Sequence, residues 1–174
     1  MNRSGMGWVE DRGVRFPRLP DFPAASRAFP VPIVVFGLGD ALLALHRLDC
    51  KEVIAARPLE PCLGDPLIEG VAAWEEEPLT VLDLAGALGL QGNSWGLQSR
   101  LIVLERPHAR YGHLAITADF VLGRFQVSAT KIADPTMKEK DRGIAGLFHL
   151  DGKPVFVPDW MGLLNKAETP RGQA

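Results

Sequence analysis

From residue 31 onward the apolar positions fall in short runs broken by glycine, proline and charge. Residues 31–38 are rich in β-branched and aromatic residues, Gly39-Asp40 supplies a turn, and residues 41–45 resume the apolar run, which predicts a β-hairpin. Leu48, Val53 and Ile54 stand at spacings that share one helix face, so a helical stretch is expected over 48–56, stopped by Pro58. After a loop carrying Pro58, Pro61, Gly64 and Pro66, strands are expected over 67–74 and 79–82, joined by Glu75-Glu76-Glu77. Asp83 is placed to cap a short helical turn over 84–88, and Gly89 suits the left-handed position that ends it. Beyond a polar connection over 91–100, strands are expected at 101–105 and 112–116, with a turn through Pro107. A helical stretch near 119–125 and a long polar loop follow.

The chain then repeats itself. At an offset of 76 residues, the segment 68–88 (IEGVAAWEEEPLTVLDLAGAL) aligns without gaps on 144–164 (IAGLFHLDGKPVFVPDWMGLL). Seven of the 21 positions are identical: Ile68/Ile144, Gly70/Gly146, Pro78/Pro154, Val81/Val157, Asp83/Asp159, Gly86/Gly162 and Leu88/Leu164. Chance would supply about one or two. Each identity has a local use: proline at a strand start forfeits no ladder bond, aspartate caps a turn, and glycine admits close backbone approach. Units of about 60 residues are marginal alone. Two of them are therefore expected to share an apolar seam, as lobes over 31–90 and 100–166 of one domain spanning 31–166. Many short strands with little helix favour small β-barrels, which remove most sheet edges. Residues 1–30, with Pro17, Pro20, Pro23 and Pro30 among arginines and aromatics, read as an extended or disordered arm, and 167–174 as a tail.

Composition removes several function classes. Nineteen basic against 21 acidic residues and a pI near 6.1 argue against a nucleic-acid-binding surface. No apolar block reaches the ~18 residues of a membrane span, and no apolar signal core precedes residue 31, so a cytoplasmic protein is expected. Cys50 and Cys62 lack metal-site spacing and fit reduced thiols. His46, His108, His113 and His149 stand in different elements without ligand partners at short spacing, so no metal is expected. No nucleophile elbow and no phosphate loop occur, and Gly37-Leu38-Gly39 is a hairpin turn, not a dinucleotide fingerprint. No catalytic residue and no cofactor are expected, which points to binding. The triple glutamate reads as a solvated hairpin tip. Trp74 beside it has two readings, core packing or an exposed contact aromatic.

The hairpin VVFGLGDALLAL, the segment CKEVI, the run GVAAWEEEPLTVLDLAGALGL, the strand RLIVLE, the hairpin end YGHLAITADFV and the closing IAGLFHLDGKPVFVPDWMGLL together resemble the CheW-like domain over about 31–164. The resemblance implies a mainly β fold of two SH3-like five-stranded barrels packed together, with short helices and the N-terminal arm. It implies a non-enzymatic adaptor between the cytoplasmic tip of a chemoreceptor and the regulatory domain of a CheA-type histidine kinase, recruited to membrane arrays without insertion. It also places a receptor-facing surface at Glu52, Val53, Ala73, Trp74 and Glu75, around the junction of the lobes. One departure stands out: where the family has Asn-Leu-Arg-Gly, this chain has Ala73, Trp74, Glu75 and Glu76. The family's arginine pairs with a glutamate that corresponds to Glu52, so Glu75 is expected to repel Glu52 where the two are close. The alternative reading is an interaction or localisation module of the same fold without kinase coupling, its N-terminal arm serving as ligand.

Overall fold

A computed structural model describes residues 30–91 and 95–168, so most of the expected arm and tail lies outside the described residues. Ten strands run β1 Pro30–Leu38, β2 Ala41–His46, β3 Cys50–Ala55, β4 Ile68–Trp74, β5 Glu77–Leu82, β6 Arg100–Leu104, β7 His113–Ala118, β8 Phe120–Ser128, β9 Ile144–Leu150 and β10 Lys153–Pro158. Short helices α1 Leu84–Leu88, α2 Met137–Asp141 and α3 Trp160–Glu168 interrupt or end them. The arm therefore gives way to strand at Pro30, and helix reaches past the expected tail boundary at 167.

Two of the expected helices are strands. Over 48–56 the chain makes a 3-10 turn, Arg47–Asp49, and then β3, whose side chains alternate between partly buried and exposed. Over 119–125 it forms β8, and Asp119 ties strands together instead of capping a helix. Its Oδ2 accepts the Gly39 N–H at 2.8 Å, and its own N–H donates to the Gly37 carbonyl at 2.8 Å. Local apolar spacing was compatible with a helix in both places, but pairing with β6 and β1 decided the outcome.

The strands form two five-stranded sheets, β8-β1-β2-β10-β9 and β3-β6-β7-β5-β4. Each curls toward closure through the segment that follows its first strand. Ala133 exchanges backbone hydrogen bonds with Leu147 of β9, and Glu60 does so with Val71 of β4. Matched pairings run through both: β10 lies parallel to β2 as β5 lies parallel to β7. The sheets do not divide the chain at 31–90 and 100–166. Those stretches are the repeats, yet each repeat is split, giving its first hairpin to one barrel and its remaining strands to the other. Barrel 1 combines β1 and β2 with β8 to β10; barrel 2 is β3 to β7.

Period-two alternation then yields three packed interiors. Ile33, Val35, Ala44, Phe148, Val155 and Val157 fill barrel 1, and Ala72, Trp74, Leu79, Val81, Leu101, Val103 and Ala115 fill barrel 2. The alternate residues, including Phe36, Leu38, Leu43, Leu45, Ile102, Leu104, Leu114 and Ile116, meet in a shared seam with α1 and α3. Strands buried on both faces explain why the hairpins read as continuous apolar runs.

The identities of the repeat recur as equivalent contacts. The Asp83 and Asp159 carboxylates accept the N–H of Gly86 and Gly162 at 2.8 and 2.9 Å. A Cβ on either glycine would run into that carboxylate. The N–H groups of Asp83 and Asp159 donate to Leu67 and Gly143, a further pair at the same offset. Gly89 closes α1 at φ 68°, the expected left-handed end.

Both repeat hairpins turn through two residues of positive φ: Glu75 and Glu76 in the first (45° and 66°), Asp151 and Gly152 in the second (49° and 77°). Asp-Gly suits such a turn, whereas a glutamate there carries the left-handed steric penalty. Glu76→Gly, which gives the first hairpin the glycine of the second, is therefore expected to stabilise the fold by about 1 kcal/mol, read as a rise in the urea midpoint at unchanged slope.

Candidate partner-binding surface

The five expected surface residues lie on β3, on β4 and in the turn after β4, where barrel 2 closes. On β3 the partly buried positions are Cys50, Glu52 and Ile54, and Lys51, Val53 and Ala55 face out. The chain leaving β3 reaches β4 through Arg57, whose Nη1 donates to the Ala73 carbonyl at 2.7 Å. Ala73 and Glu75 are exposed. Trp74 is only 3% exposed and packs in the barrel 2 interior, so of its two readings the packing one holds.

Trp74 also organises the site. Its indole N–H donates to Glu52 Oε1 at 2.5 Å, which satisfies the one polar atom of a buried ring. The Lys51 ammonium stands 4.9 Å from the ring centroid, within cation–π range. His113 meets the ring edge-on at 5.1 Å, and its Nε2 lies 2.7 Å from Glu77 Oε2. Side chains of β3, β4, β5 and β7 thus converge on one indole. Where the resemblance implies an arginine beside Glu52, a tryptophan N–H holds it here. Lys51, Glu77, His113 and Arg57 do not stand out in the sequence; their partners are 16 to 39 residues away and no local motif links them.

The site sits on barrel 2 and meets the junction of the barrels through the start of β3. Cys50 packs against the shared seam. Burial pushes the Cys50 thiol up, with the charges of Arg124 and Arg47 opposing and those of Glu105 and Asp49 adding to the rise. Leu122, on the same face of β8 as Arg124, is exposed, as are Leu48 and Val53.

Burial also pushes the Asp49 carboxyl up to about 6. A carboxyl whose pKa is higher in the fold than in the unfolded chain favours the fold below the unfolded value, about 4, and that contribution is lost as pH rises through about 6. Asp49→Asn is expected to raise Tm at pH 8 and to leave it nearly unchanged at pH 4. Equal shifts at both pH values would contradict a titrating Asp49.

Among the described residues no helix is long and apolar enough to cross a membrane, and no cluster of three His, Cys, Asp or Glu is placed to hold a metal. The CheW-like domain model matches residues 32–168. In a structure search the chain resembles the crystal structure of the scaffolding protein TtCheW from Thermoanaerobacter tengcongensis, with a TM-score of 0.65 and 22% identity over 75% of this chain and 84% of that one. No curated protein is matched by the sequence. The paired five-stranded barrels agree with that fold, and the family model spans most of the sequence: the chain belongs to the CheW-like domain family.

Proposed function

We propose that this chain is a non-enzymatic cytoplasmic adaptor that joins a chemoreceptor tip to the regulatory domain of a CheA-type histidine kinase, within membrane-associated receptor arrays. The observation that carries the reading is the family match over both barrels, 32–168. The receptor-facing surface is β3 with the β4–β5 turn, where Glu52 is held by Trp74 and Val53, Ala73 and Glu75 stand outward. A stable contact there buries about 1,000 Å² or more in total.

Calorimetric titration with the kinase regulatory domain and with a receptor-tip fragment from the same cell tests the proposal. Saturable heats are expected for both, and silence at high micromolar concentration for both would overturn it. Binding to neither kinase nor receptor, with another protein captured instead, is the result expected of the alternative, a module without kinase coupling. The feature that favours this alternative is Glu75 at the position of the family's arginine. Glu75→Arg is expected to change affinity for the receptor fragment at least several-fold while moving Tm by less than about 2 °C, because an exposed turn charge contributes little to stability.

A further inference from the structure

The β4–β5 turn is built against its own chemistry. Glu75 and Glu76 both hold left-handed φ, and Glu75, Glu76 and Glu77 set three carboxylates in succession. Strain and like-charge repulsion therefore act together to open it. The second repeat makes the same turn without either burden. Its equivalents at the offset of 76 are Asp151, Gly152 and Lys153, with a glycine at the second left-handed position and charges of opposite sign on its two sides.

The first turn has His113 instead. Its Nε2 lies 2.7 Å from Glu77 Oε2, so the residue that follows the turn is tied to β7. The tie is not a requirement of the fold. β5 lies beside β7 as β10 lies beside β2, with Leu79 opposite His113 and its repeat equivalent Val155 opposite Leu42. Leu42 thus occupies the place of His113 in barrel 1, and a leucine side chain offers Lys153 neither charge nor hydrogen bond.

A neutral imidazole gives Glu77 one N–H, and a charged one adds the attraction of opposite charges. From β4 the Trp74 ring meets His113 edge-on. The charged groups on that ring come from β3: the Lys51 ammonium over its face and the Glu52 carboxylate on its N–H. They are of opposite sign and reach His113 only through the indole, so Glu77 is the charge that His113 meets directly.

We propose that His113 is a proton-operated clamp on the β4–β5 turn: the charged imidazole holds Glu77, and with it the turn through Glu75 and Glu76, more firmly than the neutral one does. The clamp belongs to the free chain. Its consequence for a partner, that Glu75 is presented on a better-ordered turn in acid than in base, rests on the adaptor reading.

Glutamyl endopeptidase, which cuts after glutamate where a chain opens locally, tests this on the full chain. Cleavage after Glu75 and Glu76 is followed by mass spectrometry at pH 5.5 and pH 8, and each rate is divided by that of a linear peptide of the same sequence to remove the protease's own pH dependence. In the unmodified chain the corrected rate is expected to be about two- to fivefold slower at pH 5.5, the scale of one exposed ion pair. In His113→Gln, which keeps an N–H donor but carries no charge, it is expected to be equal at the two pH values. Glu77→Gln removes the charge from the other side and is expected to behave in the same way, so the test stands even where the histidine variant does not fold. Asp49, whose carboxyl is pushed up to about 6, titrates in the same window but is present in all three chains. A corrected rate in the unmodified chain that does not change with pH, or a change that persists in both variants, would overturn the proposal. A receptor fragment that binds at neither pH counts against the adaptor reading alone, because the cleavage rates are measured without it.

Discussion

Trp74→Ala is expected to lower the unfolding free energy by about 3–5 kcal/mol, the range for removing a large aromatic from a packed core. The ring fills barrel 2 among Ala72, Leu79, Val81, Leu101, Val103 and Ala115, so alanine would leave a cavity whose strand walls cannot collapse. It would also deprive Glu52 of its N–H donor, and Lys51 and His113 of the ring they contact. Trp74→Phe separates these effects. It keeps most of the ring volume and loses the hydrogen bond to Glu52, and is expected to cost about 1–3 kcal/mol. Urea unfolding of both variants provides the measurement. A loss below about 1 kcal/mol for alanine would show that the ring does not fill the barrel.

Gly70→Ala and Gly146→Ala are expected to differ although the repeat aligns them. A Cβ at Gly70 would lie 2.7 Å from the Glu60 carbonyl oxygen and 2.9 Å from Leu59 Cβ, on the segment that closes barrel 2. That oxygen accepts the Val71 N–H at 2.9 Å, so it cannot retreat without breaking the closing bridge. At Gly146 the nearest atom is Ile132 Cγ2 at 3.1 Å, the end of a side chain that can give way. Gly70→Ala is expected to cost about 2–3 kcal/mol, toward the upper end for overpacking, and Gly146→Ala under about 1 kcal/mol. Equal losses would mean that the two closures are equally rigid.

The repeat makes the paired units legible in the sequence, because its identities are caps and close approaches whose chemistry is local. Asp83 with Gly86, and Asp159 with Gly162, need only three residues to explain themselves. The β3 region was misread because Leu48, Val53 and Ile54 match a helix face, whereas the strand turns Glu52 inward at the barrel rim. That arrangement is tolerable only with the Trp74 N–H, 22 residues away, as partner. β8 was misread because Phe120 and Leu122 face outward, which blurs the alternation that marks a half-buried strand. The division into barrels was invisible for a different reason: similarity between repeats shows that two units are related, not which sheet each strand joins. At the site, Glu52, Ala73 and Glu75 came from resemblance, while the indole-centred contacts with Lys51 and His113 depend on barrel closure.

The exchange of hairpins between repeats sets the order in which the protein can be completed. Every strand of barrel 2 lies between residues 50 and 118, so that barrel can close as soon as this stretch has left the ribosome. The hairpin β1-β2 emerges first, yet it has no sheet to join until residues 120–158 arrive. During synthesis its Ile33, Val35 and Ala44 face lacks the strands that cover it, which makes the nascent first hairpin the segment most in need of protection from aggregation.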